Sequence, residues 1–279
     1  MPVPLRQLFA SILPSSDEEI YKCRTDLYEA RIIDNKKEGT RKLFLDIQLA
    51  SGMKFPSGAL LFKYTLLGKL AHLTLPHISH ALFIGLGAGT EPRHLLLSHP
   101  EAKVDIAEPD TKLPALAKQF FLFPLEDKRI RIFYEDGLSL LSRSKYKYDF
   151  LRLDAFDFGT FIPRHLLSLQ AVSLMRSRLS PRGLLAANIV SPLEGEQSAF
   201  FRSTYKTFSL RFPHISLMCT APEEPEKVQN ISLLASATKP LTQQQLLKAA
   251  GDDAPLHELA QDCIWQRKIE TSDVPLITG

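Results

Sequence analysis

Cysteine is scarce in this 279-residue chain: Cys23, Cys219 and Cys263 stand far apart, with no paired spacing. That excludes a disulfide framework and a cysteine zinc site, and makes a reducing cytoplasm the expected compartment. No apolar run is long and uncharged enough to span lipid. The most apolar long stretch, residues 59–75, is interrupted by Lys63 and Lys69, so no membrane partner is expected. Residues 1–14 carry early prolines and no small-residue cleavage pattern, which makes a poor signal peptide. Charge of one sign is nowhere massed: the net charge of +3 comes from Lys and Arg spread along the chain, which gives no footprint for nucleic acid. The eight histidines are scattered, and His77 with His80 form only a two-residue pair, so no metal is expected. No G-x-S-x-G elbow, internal repeat or low-complexity tract is present.

What is present, 44% hydrophobic and 23% charged residues, is ordinary globular composition for one large domain with an accessory segment. Residues 27–49 alternate as extended hairpins, Y-E-A-R-I-I-D and R-K-L-F-L-D-I-Q-L around the polar turn N-K-K-E-G-T, and predict a small β domain over residues 1–58. After a turn-like 52–58, residues 59–73 show helical spacing and open the main domain, expected over 59–238. From His80 onward, apolar runs of about five residues alternate with longer amphipathic stretches, the βαβ signature of a parallel sheet. Strands are expected at 81–85, 103–108, 130–134, 148–154, 184–189, 215–220 and 229–235. Helices are expected near 90–97, 112–120, 138–142, 166–179 and 194–212. The link between the last two strands, A-P-E-E-P-E-K, is too short for a crossover helix, so that pair predicts an antiparallel hairpin. The fold class is therefore α/β, a Rossmann methyltransferase-like parallel sheet with a C-terminal antiparallel hairpin, preceded by a small β domain. Residues 239–279 are expected as a polar helical tail.

The first strand of the sheet, A-L-F-I, runs directly into Gly85-Leu86-Gly87-Ala88-Gly89 and then a helix. Glycines at such a turn let backbone approach a ligand, and the helix start offers free N–H groups. The spacing lacks the third glycine of the NAD fingerprint and the Lys-Ser/Thr of a P-loop. Glu108 ends the second strand, 19 positions on from Gly89, where a carboxylate accepts from both ribose hydroxyls. Asp136-Gly137 follows the third strand; there Asp can accept from an adenine amine and Gly can leave room for the ring, although a plain turn also favours this pair. Asp154 ends the fourth strand after F-L-R-L. All these features fall at carboxyl ends of strands, where open α/β sheets bind ligands.

G-L-G-A-G, I-A-E-P-D, E-D-G and D-A-F-D-F-G-T-F-I-P-R-H-L-L resemble the spermidine synthases, with further likeness in L-D-I-Q-L-A-S-G-M, F-K-Y-T-L-L and L-S-P-R-G-L-L-A-A-N-I. The resemblance covers roughly residues 26–235. It implies an adenosyl sulfonium donor, S-adenosylmethionine or its decarboxylated form, with no metal. It also implies a small-molecule amine or polyamine acceptor and a homodimer or higher oligomer. In that family a D-x-x-D pair works on the amine: the first Asp takes its proton and the second helps hold it. Asp154 and Asp157 match these positions, and Tyr64 matches the tyrosine beside the reacting amine. A protonated amine must lose a proton to attack carbon, so a nearby carboxylate suits the chemistry.

Three departures remove polar groups: Ala88 stands where the family Asp recognises the donor's free amine, Ala50 where a Gln stands, and Tyr64-Thr65-Leu66 where Tyr-His-Glu stands. Gln48 lies two places from Ala50. With Ala88, discrimination between the two donors is expected to be weak. The resemblance implies a transferase that moves an aminopropyl or related group to an amine and releases methylthioadenosine. A methyltransferase and a non-catalytic nucleoside-binding protein are the alternatives. His165 reads as a helix-start surface residue ahead of a base, and Arg93 either faces the ligand or solvent.

Overall fold

The computed structural model describes residues 16–156 and 162–278. Four strands, β1 (Asp17–Arg24), β2 (Glu29–Asn35), β3 (Thr40–Leu45) and β4 (Gln48–Lys54), form an antiparallel sheet in sequential order. The sequence predicts only its centre. In β1 a bulge between Glu19 and Tyr21 breaks the alternation, and Ile20 and Cys23 pack on the apolar cluster of Ala30, Ile32, Leu43 and Met53. In β4, Ser51 and Gly52 imitate a turn, yet they pair with Leu43 and Lys42.

Helix α1 (Lys63–Leu73) leads into a seven-stranded sheet made of β5 (His80–Ile84), β6 (Lys103–Ala107), β7 (Ile130–Phe133), β8 (Tyr148–Leu153), β9 (Leu179–Ser191), β10 (His214–Cys219) and β11 (Gln229–Ser236). The strand order is β10-β11-β9-β8-β5-β6-β7. Only β11 runs against its neighbours, inserted between β9 and β10, so the predicted hairpin and fold class are borne out. From β5 the chain steps outward through β6 to β7, then crosses back to β8. The switch in direction between β5 and β8 leaves a crevice at their carboxyl ends.

Side chains alternate across the sheet. Leu82, Leu151, Leu153 and Leu185 pack on α5 (Arg164–Leu167), α6 (Leu169–Arg178) and α7 (Ala199–Ser209). Phe83, Phe150, Leu184 and Ala186 pack on the other face with α1, α2 (Thr90–Ser98) and, through Ala117, α3 (Leu113–Phe121). The helix expected at 166–179 is two helices, because Ser168 interrupts it and caps α6 by accepting from the Ala171 N–H. The helix expected at 194–212 is confined to α7 after a short 3-10 turn, Glu196–Ser198. Residues beyond 239 form α8 (Gln243–Ala250) and α9 (Ala254–Asp262), which pack on α1. They are followed by a segment whose Trp265, Ile269 and Ile277 join the opposite core. The tail is thus polar only in part. No helix among the described residues is long and apolar enough to cross a membrane.

Candidate active site

A cavity of about 740 Å³ lies over the switch point, roofed by the β3–β4 turn and floored by the ends of β5, β6, β8 and β9. Tyr64, Gly85, Gly87, Glu108, Asp136, Gly137 and Asp154 all line it. Seven of the nine predicted site residues therefore converge. Gly89 does not line it: it starts α2. Asp157 lies outside the described residues.

Gly85 holds φ +94°, and a Cβ there would meet the Asp154 carbonyl oxygen at 2.4 Å. The turn can therefore lie against the end of β8 only without a side chain. Gly85→Ala combines a strained backbone with this overlap and should cost about 2–4 kcal/mol. A parental denaturation midpoint would show that the turn tolerates the methyl group. At Gly137 the cause differs from the expected room for a ring: a Cβ would meet the Ile84 side chain at 2.5 Å.

Glu108 is 6% exposed, and its two oxygens accept from the N–H groups of Leu86 (3.0 Å) and Asp110 (2.9 Å). Burial pushes its carboxyl up to about 7 against those two bonds. The bonds fix the carboxylate at the cavity wall and leave each oxygen a lone pair for a ligand hydroxyl. Asp110, buried beside it, accepts from the Leu27 N–H at 3.1 Å and so ties the amino-terminal sheet to the site's edge. Asp136 caps α4 (Gly137–Arg143) by accepting from the Leu138 N–H. Its other oxygen lies 2.9 Å from His165 Nε2, which makes His165 a partner of Asp136. Arg93 donates to the Gly58 carbonyl at 2.9 Å.

At the end of β8, across β5 from Glu108, Asp154 accepts from Asn188 Nδ2 at 2.9 Å, and Asn188 in turn accepts from Asn230 at 3.2 Å. Tyr64 donates to the Ala50 carbonyl at 3.1 Å. Burial, then the carboxylates of Asp154 and Glu91, push its hydroxyl far above the ordinary tyrosine value, so it stays a neutral donor. Both asparagines line the cavity, and sequence reasoning missed them. The only signal was one polar residue near the end of the apolar run L-L-A-A-N-I.

Of the departing positions, Ala50 lines the cavity beside Gln48. Ala88 is fully buried among Ala30, Ile32 and Leu43, and Leu66 packs against the core. Among the described residues no group of three or more metal-ligating side chains occurs.

A seven-stranded sheet with this strand order, its one antiparallel strand and a crevice over the switch point define a Rossmann methyltransferase-like fold. No family model matches the chain. Curated relatives bear out the resemblance to spermidine synthases. A polyamine aminopropyltransferase from Vibrio vulnificus is 31% identical over 192 residues, 64% of each chain. One from Clostridium beijerinckii is 28% identical over 146 residues, 51% of each. The chain thus matches less than two thirds of these relatives' length. In fold it is similar to a probable spermidine synthase from Corynebacterium glutamicum, with a TM-score of 0.70 at 16% identity over 91% of this chain and 99% of that one.

Proposed function

We propose that the protein transfers an aminopropyl group from an adenosyl sulfonium donor to a small amine, releasing methylthioadenosine. The observation that carries this reading is the placement of Glu108 and Asp154 in one cavity, at the ends of β6 and β8 on either side of β5, with Tyr64 and Asp154 also lining one small adjoining cavity. Glu108 takes the ribose hydroxyls and Asp136 the adenine end. The sulfonium carbon then lies toward Asp154. The amine nitrogen forms a bond to the methylene next to sulfur as the carbon–sulfur bond breaks. Its electron pair returns to sulfur, giving a neutral thioether. The proton leaving the nitrogen goes to Asp154, directly or through one water. Asp157 is assigned to holding the amine, and the homodimer and polyamine acceptor implied by the resemblance belong to the same proposal. Amine-dependent release of methylthioadenosine from the decarboxylated donor, followed by chromatography, tests this reading, and donor left intact with every amine would refute it.

Asn188 supports the reaction by positioning Asp154. Asn188→Ala should lower the maximal rate about 5–10-fold, the worth of one hydrogen bond of about 1 kcal/mol. Methylthioadenosine affinity should stay parental, since Asn188 touches the carboxylate at the amine end. Loss of nucleoside binding with an unchanged rate would contradict that role.

A further inference from the structure

A smaller cavity of about 40 Å³ adjoins the main one, with polar lining from Ser51, Tyr64, Thr65, Thr90, Glu91 and Asp154. It has room for one small polar group. Two carboxylates line it, and no Lys or Arg does among the described residues. Behind it lies a buried ion pair: Arg152, 1% exposed, donates from Nε and Nη2 to the two Glu91 oxygens, each at 2.9 Å. Arg152 Nη2 is also 3.7 Å from Asp154 Oδ2.

Three elements are shaped around this pair. Arg152 interrupts the buried strand β8 on the face of Phe150. Glu91 comes from the first turn of α2. Gly68 of α1 makes room, since a Cβ there would lie 2.1 Å from Glu91 Oε2. A buried pair is no better for stability than apolar residues of similar volume, so its stability contribution does not account for it. With both carboxylates ionised the group carries one net negative charge, and each Glu91 oxygen keeps a lone pair after bonding Arg152.

We propose that Glu91 is a specificity-determining residue: in this small cavity it receives the terminal ammonium of the donor's aminopropyl chain, so the decarboxylated sulfonium is selected over the intact amino-acid form. The carboxylate of intact S-adenosylmethionine would face two like charges there. The inference rests on the aminopropyl-transfer reading, and it reverses the weak discrimination expected from Ala88. Burial pushes the Glu91 carboxyl up, and Arg152, donating to both of its oxygens, opposes that shift.

Calorimetry with methylthioadenosine, the decarboxylated donor and intact S-adenosylmethionine tests the inference. The parent should bind the decarboxylated donor at least tenfold more tightly than the intact one. In Glu91→Gln that ratio should fall at least tenfold, with methylthioadenosine affinity within twofold of the parent. Because this variant strands Arg152, Glu91→Gln with Arg152→Met removes both charges and should show the same loss. A parent without the preference would overturn the proposal and point to Arg152 Nη1, which has no hydrogen-bond partner among the described residues, as a group for the intact donor's carboxylate. An unchanged ratio in either folded variant would overturn it equally. Should neither variant fold, the parent ratio decides. Failure of the parent to bind methylthioadenosine would instead contradict the nucleoside site beneath the proposed function.

Discussion

Asp154→Asn should lower the single-turnover transfer rate about 10²–10⁴-fold, the scale of a lost general base, while methylthioadenosine binds nearly as before. Asp154 is suited to accept a proton without being trapped by a full salt bridge. Its side chain is 21% exposed, Arg152 stands 3.7 Å away, and among the described residues the neutral Asn188 is its close side-chain donor. The amide keeps the shape and hydrogen-bonding size of the carboxylate but cannot take the proton. The effect should therefore fall on the chemical step. Turnover at the parental rate would shift proton removal to solvent, because His165, the next candidate in the sequence, does not line the cavity.

Glu108→Ala has the second largest expected effect, a weakening of nucleoside binding by roughly 2–4 kcal/mol for two charge-assisted hydrogen bonds. The substitution also frees the N–H groups of Leu86 and Asp110, both of which now donate to this carboxylate. Since burial raises the Glu108 carboxyl to about 7, the free protein holds it increasingly protonated below that pH. Ribose hydroxyls donate better to the ionised form, so affinity should rise as pH increases through 7 and level off above it. Isothermal titration of methylthioadenosine at several pH values checks both statements. A pH-independent affinity that survives in the folded alanine variant would remove Glu108 from the site.

Residues at strand ends were legible because a parallel sheet fixes where they go. Once the apolar runs before Gly85, Glu108 and Asp154 are recognised as strands, their carboxyl ends must lie together. Boundaries were less legible where tertiary contacts override local pattern. The bulge at β1 hides its alternation, and Leu179 to Ser191 extends well beyond the apolar run at 184–189 because β8 pairs with it from Tyr148 onward. The Arg152–Glu91 pair joins residues 61 apart, so no local spacing reveals it. Sequence alone showed only a charged residue inside F-L-R-L, an anomaly that needs the facing helix to explain it. Ala88 shows the opposite limit. Its difference from the family was visible, but its burial beneath the amino-terminal sheet was not.

Product analysis tests aminopropyl transfer most directly. The protein is incubated with each sulfonium donor and a mixed pool of amines, and both halves of the reaction are identified by mass spectrometry. The account predicts an amine enlarged by one aminopropyl unit, formed together with methylthioadenosine and only from the decarboxylated donor. A methylated amine with S-adenosylhomocysteine from the intact donor would contradict it.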